Sequence, residues 1–157
     1  MENINRNIKE INYDTTSGVY TINGEVCDKE RVDNFSGIAN IKINGIITYH
    51  GSVINGKPNG QGTEFYKNGK TVKYEGYFTN GEYNGQGTLY LKNGKKYYSG
   101  NFRNDKFHGQ GTIYREDGSE RYSSYFILDK YNGYFTYYTK QGEFIGQSKK
   151  KRNILLK

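Results

Sequence analysis

Two histidines, one cysteine and a basic run are the side chains of this 157-residue chain from which chemistry would be built. His50 follows Tyr49 and His108 precedes Gly109, so the two stand at different places in the surrounding pattern. An acid–base or metal pair needs its members within hydrogen-bond reach, and 58 residues of regular, linear sequence separate these two. Cys27 is followed by Asp28 and Lys29, but no His stands beside it to take its proton, and no second Cys offers a disulfide or a metal-ligand spacing. Glycine pairs recur, but no Gly-x-x-x-x-Gly-Lys-Ser/Thr run exists, and pairs placed on strands do not cradle phosphate at a helix N-terminus. Asn34-Phe35-Ser36 fits a glycosylation sequon by chance in a chain with no secretion signal. The sequence predicts no catalytic residue, no metal and no cofactor.

What has to be positioned is a repeat. The phrase Tyr74-Glu75-Gly76-Tyr77-Phe78-Thr79-Asn80-Gly81-Glu82-Tyr83-Asn84-Gly85-Gln86-Gly87-Thr88-Leu89-Tyr90 starts again at Tyr49-His50-Gly51 and at Tyr98-Ser99-Gly100, with a worn copy at Tyr122-Ser123-Ser124. Turn glycines Gly45, Gly69, Gly94, Gly118 and Gly142 lie 24, 25, 24 and 24 residues apart. A fixed period of this size predicts units that stack on their neighbours to bury an apolar face. Inside a unit the period is two. Residues 74, 76 and 78 share one strand face, an Asn-Gly pair supplies a turn, and Gly85, Gly87, Leu89 and Leu91 share a face on the return strand. The expectation is one β-hairpin per repeat, all-β, in one elongated twisted antiparallel sheet.

Gly60 and Gly62, Gly85 and Gly87, and Gly109 and Gly111 lie two apart. Glycine at these places leaves room for a ring from a facing strand, and Tyr49, Tyr74, Tyr98 and Tyr122 would supply the rings. A second ladder, Phe65, Tyr90, Tyr114 and Tyr138, falls on the opposite face, with Thr63, Thr88, Thr112 and Thr136 two residues before. Cross-strand stacking for stability is the first reading of that ladder, and an aromatic groove for a partner is the second.

Hydrophobic residues make up 33% and mean hydropathy is −0.96, values that alone suggest disorder. The 17 Tyr and 8 Phe argue for order, because each buried aromatic removes about 150–250 Å² from contact with water. No apolar run reaches signal-peptide length at the N-terminus or the roughly 20 residues of a membrane helix. With a single thiol, a cytoplasmic location is expected, with peripheral membrane contact as a variant. The net charge of +7 favours anionic partners. Its densest part is Lys149-Lys150-Lys151-Arg152, a solvated tail or an electrostatic hook for anionic membrane.

These residues resemble the MORN (membrane occupation and recognition nexus) repeat family, whose pattern is close to Tyr-x-Gly-x-Phe-x-x-Gly-x-x-x-Gly-x-Gly. The copy at Tyr74 matches throughout, through Gly76, Phe78, Gly81, Gly85 and Gly87. The copy at Tyr98 matches Gly100, Phe102, Gly109 and Gly111, with Asp105 in place of the turn glycine. The copy at Tyr49 matches Gly51, Gly56, Gly60 and Gly62, with Val53 where Phe belongs. Ser124 replaces the first glycine of the copy at Tyr122, whose later glycine pair keeps only Gly133. The reading divides the chain into a capping segment with a degenerate repeat at 1–35, an array at 36–147 (copies 49–73, 74–97, 98–121 and a degenerate 122–146) and a basic tail at 148–157. The resemblance implies stacked hairpins and a scaffolding role, with binding to proteins and sometimes to phospholipid headgroups. Segments of about 35 and 10 residues beside the array are too short for a catalytic domain. The expected function is a non-enzymatic scaffold or adaptor for a protein partner, self-association included. The alternative is peripheral binding to anionic phospholipid, with nucleic acid set aside. A sugar- or choline-binding hairpin array is disfavoured because the chain has no Trp.

Overall fold

Hairpins form because each unit places a left-handed dipeptide between two alternating runs. The computed structural model describes residues 8–131 and 134–149. Its strands are β1 (Ile8–Asp14), β2 (Val19–Ile22), β3 (Glu25–Cys27), β4 (Gly37–Ile43), β5 (Ile46–Ile54), β6 (Lys57–Phe65), β7 (Val72–Thr79), β8 (Glu82–Tyr90), β9 (Lys96–Arg103), β10 (Lys106–Tyr114), β11 (Glu120–Ile127), β12 (Lys130–Tyr131), β13 (Tyr134–Tyr138) and β14 (Phe144–Lys149), and the short helix α1 (Lys29–Asp33) joins β3 to β4. Positive φ at both central residues closes Asn55-Gly56 (49°, 71°), Asn104-Asp105 (50°, 64°) and Leu128-Asp129 (48°, 66°). These are type I′ turns, whose twist matches that of the strands they join. At the other strand ends longer loops are closed from Thr71 O to Tyr66 N–H, Lys95 O to Leu91 N–H and Ser119 O to Arg115 N–H, at 2.8–2.9 Å.

The chain forms two compact units, residues 1–81 and 82–157, which divide in the hairpin turn of the 74–97 copy. In the first, the strand order is β7-β6-β5-β4-β1-β2-β3; in the second it is β14-β13-β11-β10-β9-β8, with β12 on β11. The repeat hairpins are antiparallel within each unit, and β1 with β4 is parallel. The sheet is therefore mixed rather than purely antiparallel. Strands β2 and β3 occupy one side of β1, and α1 carries the chain back to the other. Asp28 caps that helix by accepting from the Arg31 N–H at 2.8 Å, and Val32 is its buried residue.

Each core rests on a tyrosine folded against backbone. Tyr98 is fully buried. Its ring turns back over Gly100 so that the phenol O–H donates to the Asn101 carbonyl at 2.9 Å. The same ring lies against Gly111 on the next strand, where a Cβ would stand 2.1–2.5 Å from ring atoms. Tyr49 repeats this over Gly51 and Gly62, donating to the Ser52 carbonyl at 2.7 Å. Tyr74, also fully buried, donates to the Tyr77 carbonyl at 3.0 Å. Phenylalanines then wedge between successive tyrosines. Phe78 meets Tyr49 and Tyr74 edge-on at 5.1 Å each, and Phe126 meets Tyr98 at 5.5 Å. Phe107 stacks on Tyr98 at 3.8 Å and 8°.

The paired glycines do separate jobs, where the spacing suggested one. Gly62 and Gly111 give the ring its clearance. Gly60 (95°), Gly85 (86°) and Gly109 (69°) have positive φ, and a Cβ on Gly109 would meet the Asn101 side chain at 3.2 Å. Pairing of β9 with β10 breaks between Phe107 and Gly111, so His108, Gly109 and Gln110 oppose Asn101. That bulge bends the strand. The fourth ring is also placed differently: Tyr122 is only half-buried. Ser124 carries a Cβ where its counterpart Gly100 would hold one 2.6 Å from the folded-back hydroxyl, which bars the same turn.

Within each compact unit, turns tie a hairpin to the one before. Gly56, Gly81, Asp105 and Asp129 donate their N–H groups to the carbonyls of Phe35, Pro58, Tyr83 and Phe107 at 2.8–3.1 Å. The Asp105 and Asp129 carboxylates also accept from the N–H groups of Tyr83 and Phe107 at 2.8 Å. Pro58 has no N–H to offer, and Phe35 donates its own to Val32. Aspartate thus stands where a backbone donor faces the turn, and glycine where none does.

Three outcomes follow from this packing. Gly111→Val should lower stability by about 1–3 kcal/mol in urea denaturation, since the ring has no room to retreat. Gly118→Asn, at an open turn position that Asn tolerates, should leave the midpoint unchanged. Asp129→Gly restores the repeat pattern yet should destabilise by about 1 kcal/mol by orphaning the Phe107 N–H, whereas Asp129→Asn keeps the acceptor and the stability. Burial pushes the Tyr49 phenol up to about 12, above its unfolded value of roughly 10. The unfolded chain ionises first, so this contribution is whole below about pH 10 and falls as pH rises towards 12. Tyr49→Phe should remove that part of the alkaline loss, read as denaturation midpoint against pH.

Candidate interaction surface

A strand that turns alternate residues into the tyrosine core turns the rest outward. In the second unit the outward residues form rows across the strands. Thr88 pairs with Ser99, Ser99 with Thr112, Thr112 with Ser123, and Ser123 with Thr136, all half-buried. Nearer the type I′ turns, Gln86 pairs with Asn101 and Gln110 with Tyr125, and the Gln86 amide donates to Asn101 Oδ1 at 2.9 Å. In the first unit the outward face is more polar. Asn40 donates to Glu10, and His50 Nδ1 lies 2.6 Å from Asn40 Oδ1. Lys42 pairs with Glu10 at 2.5 Å. Burial works against the Glu10 carboxylate, but the bonds from Asn40 and Lys42 hold it below its ordinary value.

Phe65, Tyr90, Tyr114 and Tyr138 are half-buried where their strands enter the longer loops. Their cross-strand partners are Val72, Lys96, Glu120 and Phe144. Lys96 Nζ sits 5.0 Å from the Tyr114 ring centre, a cation–π contact, and burial raises the Tyr114 phenol, Glu120 adding to it. Lys67, Lys70, Lys92 and Lys95 are exposed in the equivalent loops after β6 and β8. Lys149 ends β14, while Lys150, Lys151 and Arg152 lie outside the described residues.

The residues first considered for chemistry are dispersed. His50 belongs to the first unit and His108 to the second. Cys27 is a free, half-buried thiol on β3, and among the described residues no three His, Cys, Asp or Glu side chains gather to hold a metal ion. Among the same residues no helix is long and apolar enough to cross a membrane.

Sequence reasoning read Asp105 only as the loss of a turn glycine and passed over Asp129; the signal for both was an aspartate 22 residues after a non-proline position. It also passed over Arg115, whose guanidinium crosses to the Tyr138 carbonyl at 2.6 Å, and Gln61, Gln86 and Gln110, which recur between the paired glycines.

The MORN repeat model matches residues 49–71, 74–96 and 98–120. No curated protein matches the chain closely enough to name a relative. The matches run in tandem, each spans one folded-back tyrosine, and those at 49–71 and 98–120 also span its clearance glycines. Residues 49–120 of this chain are three consecutive MORN repeats.

Proposed function

We propose that the chain is a non-enzymatic adaptor that presents its outward sheet face to a protein partner, a second copy of itself included. MORN repeats are in general non-catalytic and serve protein–protein and membrane-binding roles. The observation that carries the reading is the outward tyrosine rungs. Tyr90 and Tyr114 stand at one position in successive repeats, partly open to solvent, and the ring-on-glycine packing does not use them. Aromatic residues so placed supply most of the energy of many interfaces. A cytoplasmic setting accords with this role.

A second reading, peripheral attachment to anionic membrane, is favoured by the exposed Lys67, Lys70, Lys92 and Lys95 in equivalent loops. Each basic residue near such a surface contributes about 1 kcal/mol.

The double change Tyr90→Ser and Tyr114→Ser should abolish self-association or partner capture in sedimentation velocity while the melting temperature barely moves. A sharp drop in melting temperature with association intact would make the rungs structural and sink the adaptor surface. If the membrane reading holds, co-sedimentation with vesicles should require anionic lipid, weaken with salt and fall when residues 149–157 are removed. Vesicle binding that survives both high salt and the truncation would rule out the electrostatic hook.

A further inference from the structure

Beside the bulge that bends β10, the outward face of the second unit holds an open cavity of about 470 Å³. Asn84, Asn101, Asn104, His108, Gln110 and Tyr125 line it. Arg103 is the one fully charged side chain on the wall, and no carboxylate lies among the lining residues. His108 Nδ1 is shielded from solvent and finds no hydrogen-bond partner among the described residues. The Tyr125 ring is 48% exposed beside it.

We infer that this cavity binds a neutral, hydroxyl-rich ligand, a short stretch of oligosaccharide, through its amide side chains and the face of Tyr125, a single site with a tyrosine where the disfavoured sugar-binding arrays would repeat a Trp. Each Asn or Gln offers a donor and an acceptor together, and a sugar hydroxyl has the same double character. An oxyanion would find the amide carbonyls repulsive and a single guanidinium to hold it. A peptide would need apolar pockets for alternate side chains, and of the two aromatic residues on this wall Phe102 is buried in the core, which leaves Tyr125 as the exposed one. The His108 nitrogen is covered by protein as it stands, and a turn of the ring towards the cavity would let a ligand hydroxyl complete the hydrogen bonding that the protein leaves open. Asn101 and Tyr125 occupy variable positions of the pattern and Asn84 and His108 precede the glycine pair, whereas Asn104 holds the positive φ of its turn and Gln110 recurs as Gln61 and Gln86 do. Gly109, at the break in β9–β10 pairing, bends the strand beside the hollow, and the side chains around it furnish the wall. The site stands apart from the outward tyrosine rungs, so the adaptor reading and this one fail independently.

The test is a broad array of neutral glycans probed with the full chain, followed by NMR titration of the best binder and of cellotetraose, maltotetraose and chitotetraose. The expected result is a saturable shift confined to the side-chain amides of Asn84, Asn101, Asn104 and Gln110. Asn101→Ala should weaken binding about tenfold, the loss of one good hydrogen bond. His108→Ala should weaken it without lowering the melting temperature, because its Nδ1 gives up no protein partner. The proposal is overturned if no neutral glycan binds, or if the shifts fall outside the cavity. Displacement of the glycan by inorganic phosphate or an uncharged peptide at equal concentration also overturns it. So does a His108→Ala variant that melts early yet binds normally.

Discussion

A tyrosine ring pressed against bare backbone on two sides is the interaction on which the rest of this structure depends. Tyr49 and Tyr98 each fold back over the glycine two residues on and meet a second glycine across the hairpin. Close packing here is possible only where both neighbours lack a Cβ, since the space a methyl would need is already occupied by ring atoms. The geometry secures the phenol as well. Its O–H donates to a carbonyl three residues ahead, so a polar tip that would otherwise be buried unsatisfied finds a partner. A chain with one-third hydrophobic residues can hold a core this way because a few rings bury most of the available area.

Stacking from unit to unit follows from the same columns. Phenylalanine edges sit between successive tyrosines, and each hairpin turn returns a backbone hydrogen bond to the unit before it. The aspartates at 105 and 129 look like losses of a turn glycine when the repeat is read in isolation. In the structure they answer the N–H groups of Tyr83 and Phe107. Where Pro58 has no donor, and where the Phe35 N–H is already bonded to Val32, the facing turns keep glycine. Degeneracy in a repeat can therefore be compensation for its neighbour.

Function is left to the positions this packing does not claim. The outward face carries hydroxyl and amide rows and tyrosine rungs, set at regular spacing by the strands beneath. His50, His108 and Cys27 lie apart on this framework. The loop lysines add a basic margin to the same repeats.

Hairpins, their period and the family were legible in the sequence because they depend on local rules. Asn-Gly turns impose positive φ, alternation sets the faces, and a 24-residue repetition makes the pattern unmistakable. Tertiary structure alone decided what each glycine does, since Gly109 and Gly111 look equivalent until strand pairing makes one a bend and the other a clearance. It alone showed why Tyr122 is left half-exposed, why β4 runs parallel to β1, and which aspartate meets which amide. The amide-lined hollow was equally hidden. It joins residues from four strands whose proximity is a product of bulges and register, and no local sequence rule encodes the distance between side chains on different strands.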